Sequence, residues 1–385
     1  MLVFHRWFSN YRLLVDIVAQ KGGPRMISLR MKIVAVMIGM MILLEGCWDT
    51  KDINKQYLPV VMGIGKGSNE KYNIILEIPD AAGKIQFLEK EAKSISKAID
   101  LIRTDSEKSI NLVHLRLLLF DYKIAGEGIR DIIDYAVRAN DLSIKGMVAI
   151  VDGDFDKTMY HVISPTPEIS TYDFFNKEAG WTPNQSLLRI WEAYRSQNSY
   201  SEDMAIPLLQ NGERTMYKFK GTAVMREDRM VGRLNREETF LYNLFKGEYT
   251  GGTIEIAENT SVLIKNVKIR HYPRWSAKGP SLRTDITLDV TIAEGPSGKS
   301  NMEIEREVRK QLNRNFEKTV KKLELLRSDV LGVGVIYRPQ LSEEQLKNWK
   351  SEWFPKLEQK INVQVNVIND IFIKNEIQKD KTLIR

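Results

Sequence analysis

The stretch Asn111-Leu112-Val113-His114-Leu115-Arg116-Leu117-Leu118-Leu119-Phe120 decides the fold of the first half of this chain. It is nearly continuously apolar, as a strand buried on both faces would be. Upstream, Tyr57 to Gly65 and Tyr72 to Ile78 read as two strands joined by a turn at Gly67-Ser68-Asn69. Between them and the apolar run, Ile85, Leu88, Ala92, Ile95, Ile99 and Ile102 recur at spacings of three and four, with Lys and Glu elsewhere. That period predicts an amphipathic helix. Downstream, Ile129, Ile132, Ile133, Ala136 and Val137 predict a second helix, and Lys145 to Val151 another strand. The order β-β-α-β-α-β implies an α/β layer domain over residues 57–155.

The next stretch, 156–215, changes character. It holds Pro165, Pro167, Pro183 and Pro207, with an aromatic-rich run from Tyr172 to Trp181. A helix is expected at Gln185 to Arg195, and the rest reads as a connecting region. A hairpin follows, with strands at Gly221–Met225 and Arg229–Leu234 around Arg226-Glu227-Asp228. Further strands are expected at Gly252–Ile256, Val262–Tyr272 and Leu282–Ala293. A long helix runs from Met302 to about Ser328, its buried stripe formed by Ile304, Val308, Leu312, Phe316, Val320, Leu323 and Leu326. A short helix at Leu346–Trp353 and a last alternating strand at Ile361–Ile368 complete a C-terminal α+β domain over 216–374, before a charged tail at 375–385. The fold class is α+β: an N-terminal α/β layer domain, a connecting region, and a C-terminal mixed-sheet domain with one long helix.

The chain has one cysteine, Cys47. Arg25, Arg30 and Lys32 precede an uncharged run of twelve residues, Ile33 to Leu44, and a small residue stands before the cysteine. This is the layout of an export signal. Twelve helical residues rise about 18 Å, short of a bilayer core of about 30 Å, so removal fits better than spanning. Leu44-Glu45-Gly46-Cys47 resembles the lipobox of bacterial lipoproteins, in which the thiol receives a diacylglycerol before the peptide is cut. Glu45 is its one departure from the usual small or apolar residue. Residues 1–46 are therefore expected to be leader and signal peptide, 47–56 a polar tether, and Cys47 the lipidation site. Met26 and Met31 lie closer to the apolar run than Met1 does, and a start at either is expected.

Charge and missing constellations narrow the function. The full chain carries 57 Lys/Arg against 50 Asp/Glu, but the first 46 residues hold six of the former and two of the latter. The remainder is thus close to neutral, at 51 against 48, without the clustered positive charge of a nucleic-acid binder. No second cysteine is available for a disulfide. Roughly 340 residues after the anchor predict two or three domains. His114, His161 and His271 lack metal-ligand spacing and are read as structural. Gly63-Ile64-Gly65-Lys66-Gly67 leads into a strand instead of a helix, so it reads as a hairpin and not as a phosphate loop; Gly332-Val333-Gly334 fails the same test. Glu237-Glu238 and Glu343-Glu344 look like first-turn helix residues. Tyr172-Asp173-Phe174-Phe175 is read as packing between domains, with a ligand groove as the alternative. No nucleophile elbow occurs, and neither a catalytic centre nor a cofactor site is expected.

The order of motifs resembles the C-type lipoprotein subunits of spore germinant receptors, the Ger(x)C family. The residues that carry the likeness are Gly46-Cys47-Trp48-Asp49, His114-Leu115-Arg116, Ala125-Gly126-Glu127-Gly128-Ile129 and Arg138-Ala139-Asn140-Asp141. In the second half they are Ile206-Pro207-Leu208-Leu209, Gly221-Thr222-Ala223-Val224, Leu234, Glu237-Glu238-Thr239 and Asp329-Val330-Leu331-Gly332-Val333-Gly334. The likeness covers residues 44–370; Asn369-Asp370 departs from the glycine common after the last strand. It implies a non-enzymatic receptor component on the outer face of the spore inner membrane. Its implied partners are integral-membrane A- and B-type subunits and, through the acylated cysteine, membrane lipid. His114 and Arg116 are expected as alternating residues of a strand, with no ligand role. A solute-binding lipoprotein of a transporter is the alternative reading; it calls for two similar α/β lobes flanking a cleft. A membrane-tethered hydrolase comes third.

Overall fold

A computed structural model of the chain describes residues 31, 33, 34, 36, 37, 53–80, 84–139, 142–161, 167–249, 251–256, 260–294 and 299–368. It forms two compact units, Met1–Lys55 and Gln56–Arg385. Of the first, Met31, Ile33, Val34, Val36 and Met37 are helical and Ile53–Lys55 make a single tight turn. Cys47 lies outside the described residues.

The second unit opens with β1 (Gln56–Tyr57), β2 (Val61–Lys66), β3 (Tyr72–Pro79), β4 (Ile85–Ala92) and α1 (Ile95–Thr104). Next come β5 (Ser109–Ile110), β6 (Leu117–Asp121), α2 (Tyr122–Glu127), α3 (Arg130–Arg138), β7 (Met147–Val151), α4 (Phe155–Met159), α5 (Pro167–Phe175) and α6 (Ile190–Gln197). Three strands close this half: β8 (Ala205–Asn211), β9 (Tyr217–Arg226) and β10 (Arg229–Leu234). Eight of the strands form one mixed sheet in the order β10-β9-β8-β7-β6-β2-β3-β4, with β2, β6, β7 and β8 parallel and both flanks antiparallel. Burial of the central strands on both faces, read from the apolar run, is observed. Leu118 and Phe120 join a core with α1, α3 and α6, while Leu117 and Leu119 pack with Phe155 and Met159 of α4 and Phe175 of α5. Gly63 and Gly65 of β2 are a hairpin strand, as expected. A Cβ on them would sit 2.5 Å from Met159 Sδ and 2.7 Å from the Phe155 ring, so their bareness admits α4 onto the sheet.

Three local expectations give way to tertiary structure. Residues 85–92 are a strand and not the first half of a helix; the helix begins only after Ser94, whose hydroxyl accepts from Lys97 N. Pairing with β3 places Phe87 on one face and Leu88 and Ala92 on the other, both against apolar layers. Burial on both faces erases the period-2 pattern and leaves spacings that mimic a helix. The apolar decapeptide is not one strand either. Asn111 caps a tight turn, Leu112–His114, through Val113 N, so His114 stands in that turn and Arg116 just ahead of β6. The proline-bearing stretch expected as a connector supplies β8, an interior strand. Its ladder with β7 starts at Leu208, one residue past Pro207, so the missing N–H breaks no bond on that side. The sheet accordingly runs through 156–215 and takes in the hairpin beyond it.

The rest of the unit comprises α7 (Arg236–Phe245), β11 (Thr253–Ile256), β12 (Thr260–Ser276), β13 (Gly279–Glu294), α8 (Asn301–Leu326), α9 (Val333–Tyr337), α10 (Glu343–Lys347) and β14 (Glu358–Val367). The four strands form a second sheet in sequence order, antiparallel except for the parallel pair β13–β14. Ser300 and Glu303 form a reciprocal cap that starts α8. Its expected stripe is buried from Ile304 to Leu323, against Val262, Ile286, Leu288 and Val363 of the sheet. Glu237, Glu238, Glu343 and Glu344 do occupy first helical turns.

Two measurements check this packing. Phe316, 2 % exposed in the α8 stripe, should cost about 3–5 kcal/mol of unfolding free energy when cut to alanine, read by urea denaturation. Glu77 is 2 % exposed on β3, and its Oε1 has no hydrogen-bond partner among the described residues. Burial pushes its carboxyl up from 4.5 to about 7. A raised carboxyl stabilises the fold fully below the unfolded value, and this contribution is lost as pH rises through the folded one. Glu77→Gln should therefore match the wild type near pH 4.5 and exceed its stability by on the order of 3 kcal/mol above pH 7.

Candidate functional site at the junction of the two sheets

Two buried aspartates tie the halves together. The lead-in to β8 is buried from Ser201 to Met204. Asp203 Oδ1 accepts from Glu227 N at 2.9 Å, in the β9–β10 turn, and from Lys350 Nζ at 2.8 Å. Its Oδ2 accepts from Asp329 N at 2.9 Å, just past α8, and its own N–H donates to Asp329 O at 3.0 Å. The Asp329 carboxylate in turn accepts from Val333 N and Gly334 N at 2.8 Å each and from Trp349 Nε1 at 2.9 Å. Burial pushes the Asp329 carboxyl up to about 6, and those three donors oppose the shift. The glycines of Asp329-Val330-Leu331-Gly332-Val333-Gly334 serve this arrangement. Gly332 has φ +69°, and a Cβ on Gly334 would lie 2.4 Å from Trp349 Nε1. Ser328 Oγ also donates to Met225 O of β9.

Other motif residues gather at the same junction. Thr222 Oγ1 lies 2.8 Å from both Ser186 Oγ and Thr239 Oγ1, all buried. Glu238 completes the cap of α7 with Asn235 and holds Lys322 of α8 at 2.7 Å. Gly221 has φ +142°, and a Cβ there would meet Leu234 O at 2.4 Å. Ala125-Gly126-Glu127-Gly128-Ile129 ends α2 and turns into α3; Ile129 N donates to Asp228 O at 3.0 Å. Asn140, Asp141, Asn369 and Asp370 lie outside the described residues.

Two clefts flank the loop between α5 and α6. One, of about 450 Å³, contains Arg116, Lys145, Tyr172, Phe175 and Arg189 among its lining residues. The Arg116 guanidinium lies 5.8 Å from the centre of the Tyr172 ring. The aromatic run thus divides its work. Tyr172 lines this groove, Phe175 is buried, and Phe174 packs edge-on against Phe175 and Tyr217 at 5.1 and 5.7 Å. The other cleft, of about 250 Å³, lies between α6, the lead-in to β8, and α7, with Trp181, Glu202, Tyr242 and Lys246 in its walls. Asn243 pins its rim by donating to Pro183 O and Gln185 O at 2.7 and 2.8 Å.

Of the histidines, His161 follows α4 with a buried Nε2. His271 on β12 sits 3.0 Å from Thr284 Oγ1, its pKa lowered by burial and then by the charge of Lys246. Among the described residues no cluster of His, Cys, Asp or Glu has the makings of a metal site. Asp203, Trp349 and Lys350 were not singled out from sequence. The signal available was the Asp329–Gly334 motif itself, whose glycines call for a close approach without saying of what.

Comparison with known proteins follows this layout. A family model for the spore germination protein N-terminal domain matches residues 49–210, and one for the spore germination B3/GerAC-like C-terminal region matches 220–370. Spore germination protein B3 of Bacillus subtilis is 24% identical over 318 residues, covering 75% of this chain and 84% of its own. Spore germination protein GerQC of Bacillus cereus is 21% identical over 273 residues, covering 66% and 74%. The crystal structure of the GerBC protein shares the fold, with a TM-score of 0.55 at 18% identity, over 80% of this chain and 97% of that one. The chain belongs to the Ger(x)C family of spore germination proteins.

The aspartate junction makes a sharp prediction. Asp329→Ala removes the acceptor for three donors and leaves them buried. It should destabilise by about 3 kcal/mol or more in urea denaturation, well beyond the effect of an exposed control such as Glu343→Ala.

Proposed function

We propose that this protein is the lipid-anchored, non-enzymatic C subunit of a nutrient germinant receptor complex acting in spore germination. The observation that carries the reading is the pair of family matches, in order along residues 49–210 and 220–370, with Cys47 immediately ahead of the first. In this reading Cys47 receives the diacylglycerol, and its acyl chains hold the body at the outer face of the spore inner membrane. Two acyl chains on one residue meet the requirement of two signals for lasting attachment. The integral-membrane A- and B-type subunits are the partners, and tethering raises the local concentration of the C subunit beside them. The transporter alternative calls for two similar lobes, whereas the two large sheets here have eight and four strands, beside the short β1–β5 pair. No helix among the described residues is long and apolar enough to cross a membrane, so attachment in this reading rests on the lipid.

Cys47→Ala should leave the protein as precursor or release it from the membrane fraction, and spores that carry only this form should respond poorly to nutrient. Mass spectrometry of the wild-type protein extracted from membranes should find the Cys47 thiol acylated. An unmodified thiol there, or a full nutrient response with the variant absent from the membrane, would overturn the tethered-subunit reading.

A further inference from the structure

The segments leading into β2, β6 and β7 meet at one end of the eight-stranded sheet, because these strands run parallel. The body of the protein begins there too. Tyr57 O and Val60 O, ahead of β2, accept from Asn111 N and Arg116 N at 3.0 and 2.8 Å. This end is apolar at its surface: Val113 before β6, Ile144 before β7, Tyr172 on α5 and Trp191 on α6 are between 38 and 52 % exposed. They are neighbours. Trp191 N donates to Ile144 O at 3.1 Å, Tyr172 shares the cleft of about 450 Å³ with Arg116 and Lys145, and Val113 stands three residues ahead of Arg116. One exposed apolar side chain needs no explanation; four at one end of a sheet do.

The charges at this end suit one occupant. The walls of the cleft carry Arg116, Lys145, Lys177 and Arg189, and among its described lining residues one carboxylate, Glu178. Glu248 and Glu192 match Lys177 and Arg189 from outside it, so the excess rests with Arg116 and Lys145. Where the same strands end, carboxylates crowd instead: Asp121 closes β6, and Asp154 and Asp156 follow β7. Burial, then the charges of Glu89, Asp154 and Asp121, raises the pKa of the Asp156 carboxyl. Exposed Trp and Tyr beside Lys and Arg suit the interface of an anionic bilayer, where rings settle between apolar and polar layers and cations meet lipid phosphates. Chain length agrees. Nine residue steps separate Gln56 from Cys47, a reach of about 30 Å at full extension.

We propose that this end of the eight-stranded sheet lies on an anionic lipid bilayer, with Val113, Ile144, Tyr172 and Trp191 in the headgroup layer and Arg116 and Lys145 against lipid phosphates. The inference deepens the tethered reading of the protein and rests on it for the choice of a membrane as the occupant. Acylation would then hold the chain at the surface, and this face would orient the body upon it.

The chain has one cysteine, so full-length Cys47→Ser can carry a single new thiol for a fluorophore. The thiol is placed at Val113→Cys or Ile144→Cys, or as a control at Lys123→Cys, an exposed site past the far end of β6. Vesicles of phosphatidylcholine, with or without phosphatidylglycerol, carry a headgroup spin label that quenches only a fluorophore at the surface. Quenching is read instead of retention, because the apolar run Ile33–Leu44 can hold the chain to any vesicle. On anionic vesicles the labels at 113 and 144 should be quenched and the label at 123 should not. Lys145→Glu, at an exposed position, should lower the ratio of docked to undocked protein read at 144 about tenfold. Equal quenching at 123, quenching at no position, or contact that Lys145→Glu and lipid charge leave unchanged overturns the proposal. Protection of 113 and 144 only when integral-membrane subunits share the vesicles makes this face a protein-docking surface and overturns it as well. Cys47 is absent from the test chain, so failure here leaves the acylation reading standing, and an unmodified wild-type thiol leaves this result standing.

Discussion

The hydrogen-bonded contact between Asp203 and Asp329 is the constraint on which the arrangement of this molecule depends. Two carboxylates in an apolar setting would repel each other and lose solvation. Here each is instead surrounded by donors: Asp329 by two backbone N–H groups and an indole, Asp203 by two backbone N–H groups and the Lys350 ammonium. The pair acts through direction more than strength. Asp203 reaches the end of α8, the β9–β10 turn and the Lys350 segment at once, so these cannot shift independently without leaving a buried charge unmet. The eight-stranded and four-stranded sheets are set against each other by this geometry and by Ser328, Thr222 and Glu238 around it.

The junction explains why the motif residues look so little like a catalytic site. Gly221, Thr222, Glu238, Thr239, Asp329, Gly332 and Gly334 belong to one three-dimensional arrangement, and their roles are space, capping and hydrogen bonding. A polar junction of this kind fixes the relative positions of the two sheets where two apolar faces could slide.

Much of the fold was legible in the chain. Ile304 to Leu323 keep a helical period because α8 buries one stripe and exposes the other side, and β13 and β14 alternate because one face of their sheet is covered. Pattern reading failed where burial was two-sided. Ile85 to Ala92 lost its alternation because Phe87 and Leu88 both meet apolar layers, and Pro207 suggested a loop inside a strand that needs no N–H on its β7 side at that position. Asn111, a local cap, cut the apolar run that otherwise read as one strand.

The candidate site divides along the same line. Residue order alone indicated the family, the near-neutral body, and the Asp329–Gly334 motif as one of the marks of that family. Tertiary structure alone decided that those glycines make room for Trp349 and Lys246, that Asp203 is the partner of Asp329 from 126 residues away, and that Trp181 and Lys246 share one cleft. The reason is physical. Caps, turns and one-sided faces are local free-energy choices written in neighbouring residues, whereas a buried charge is tolerable only because of donors that the chain delivers from far along its length.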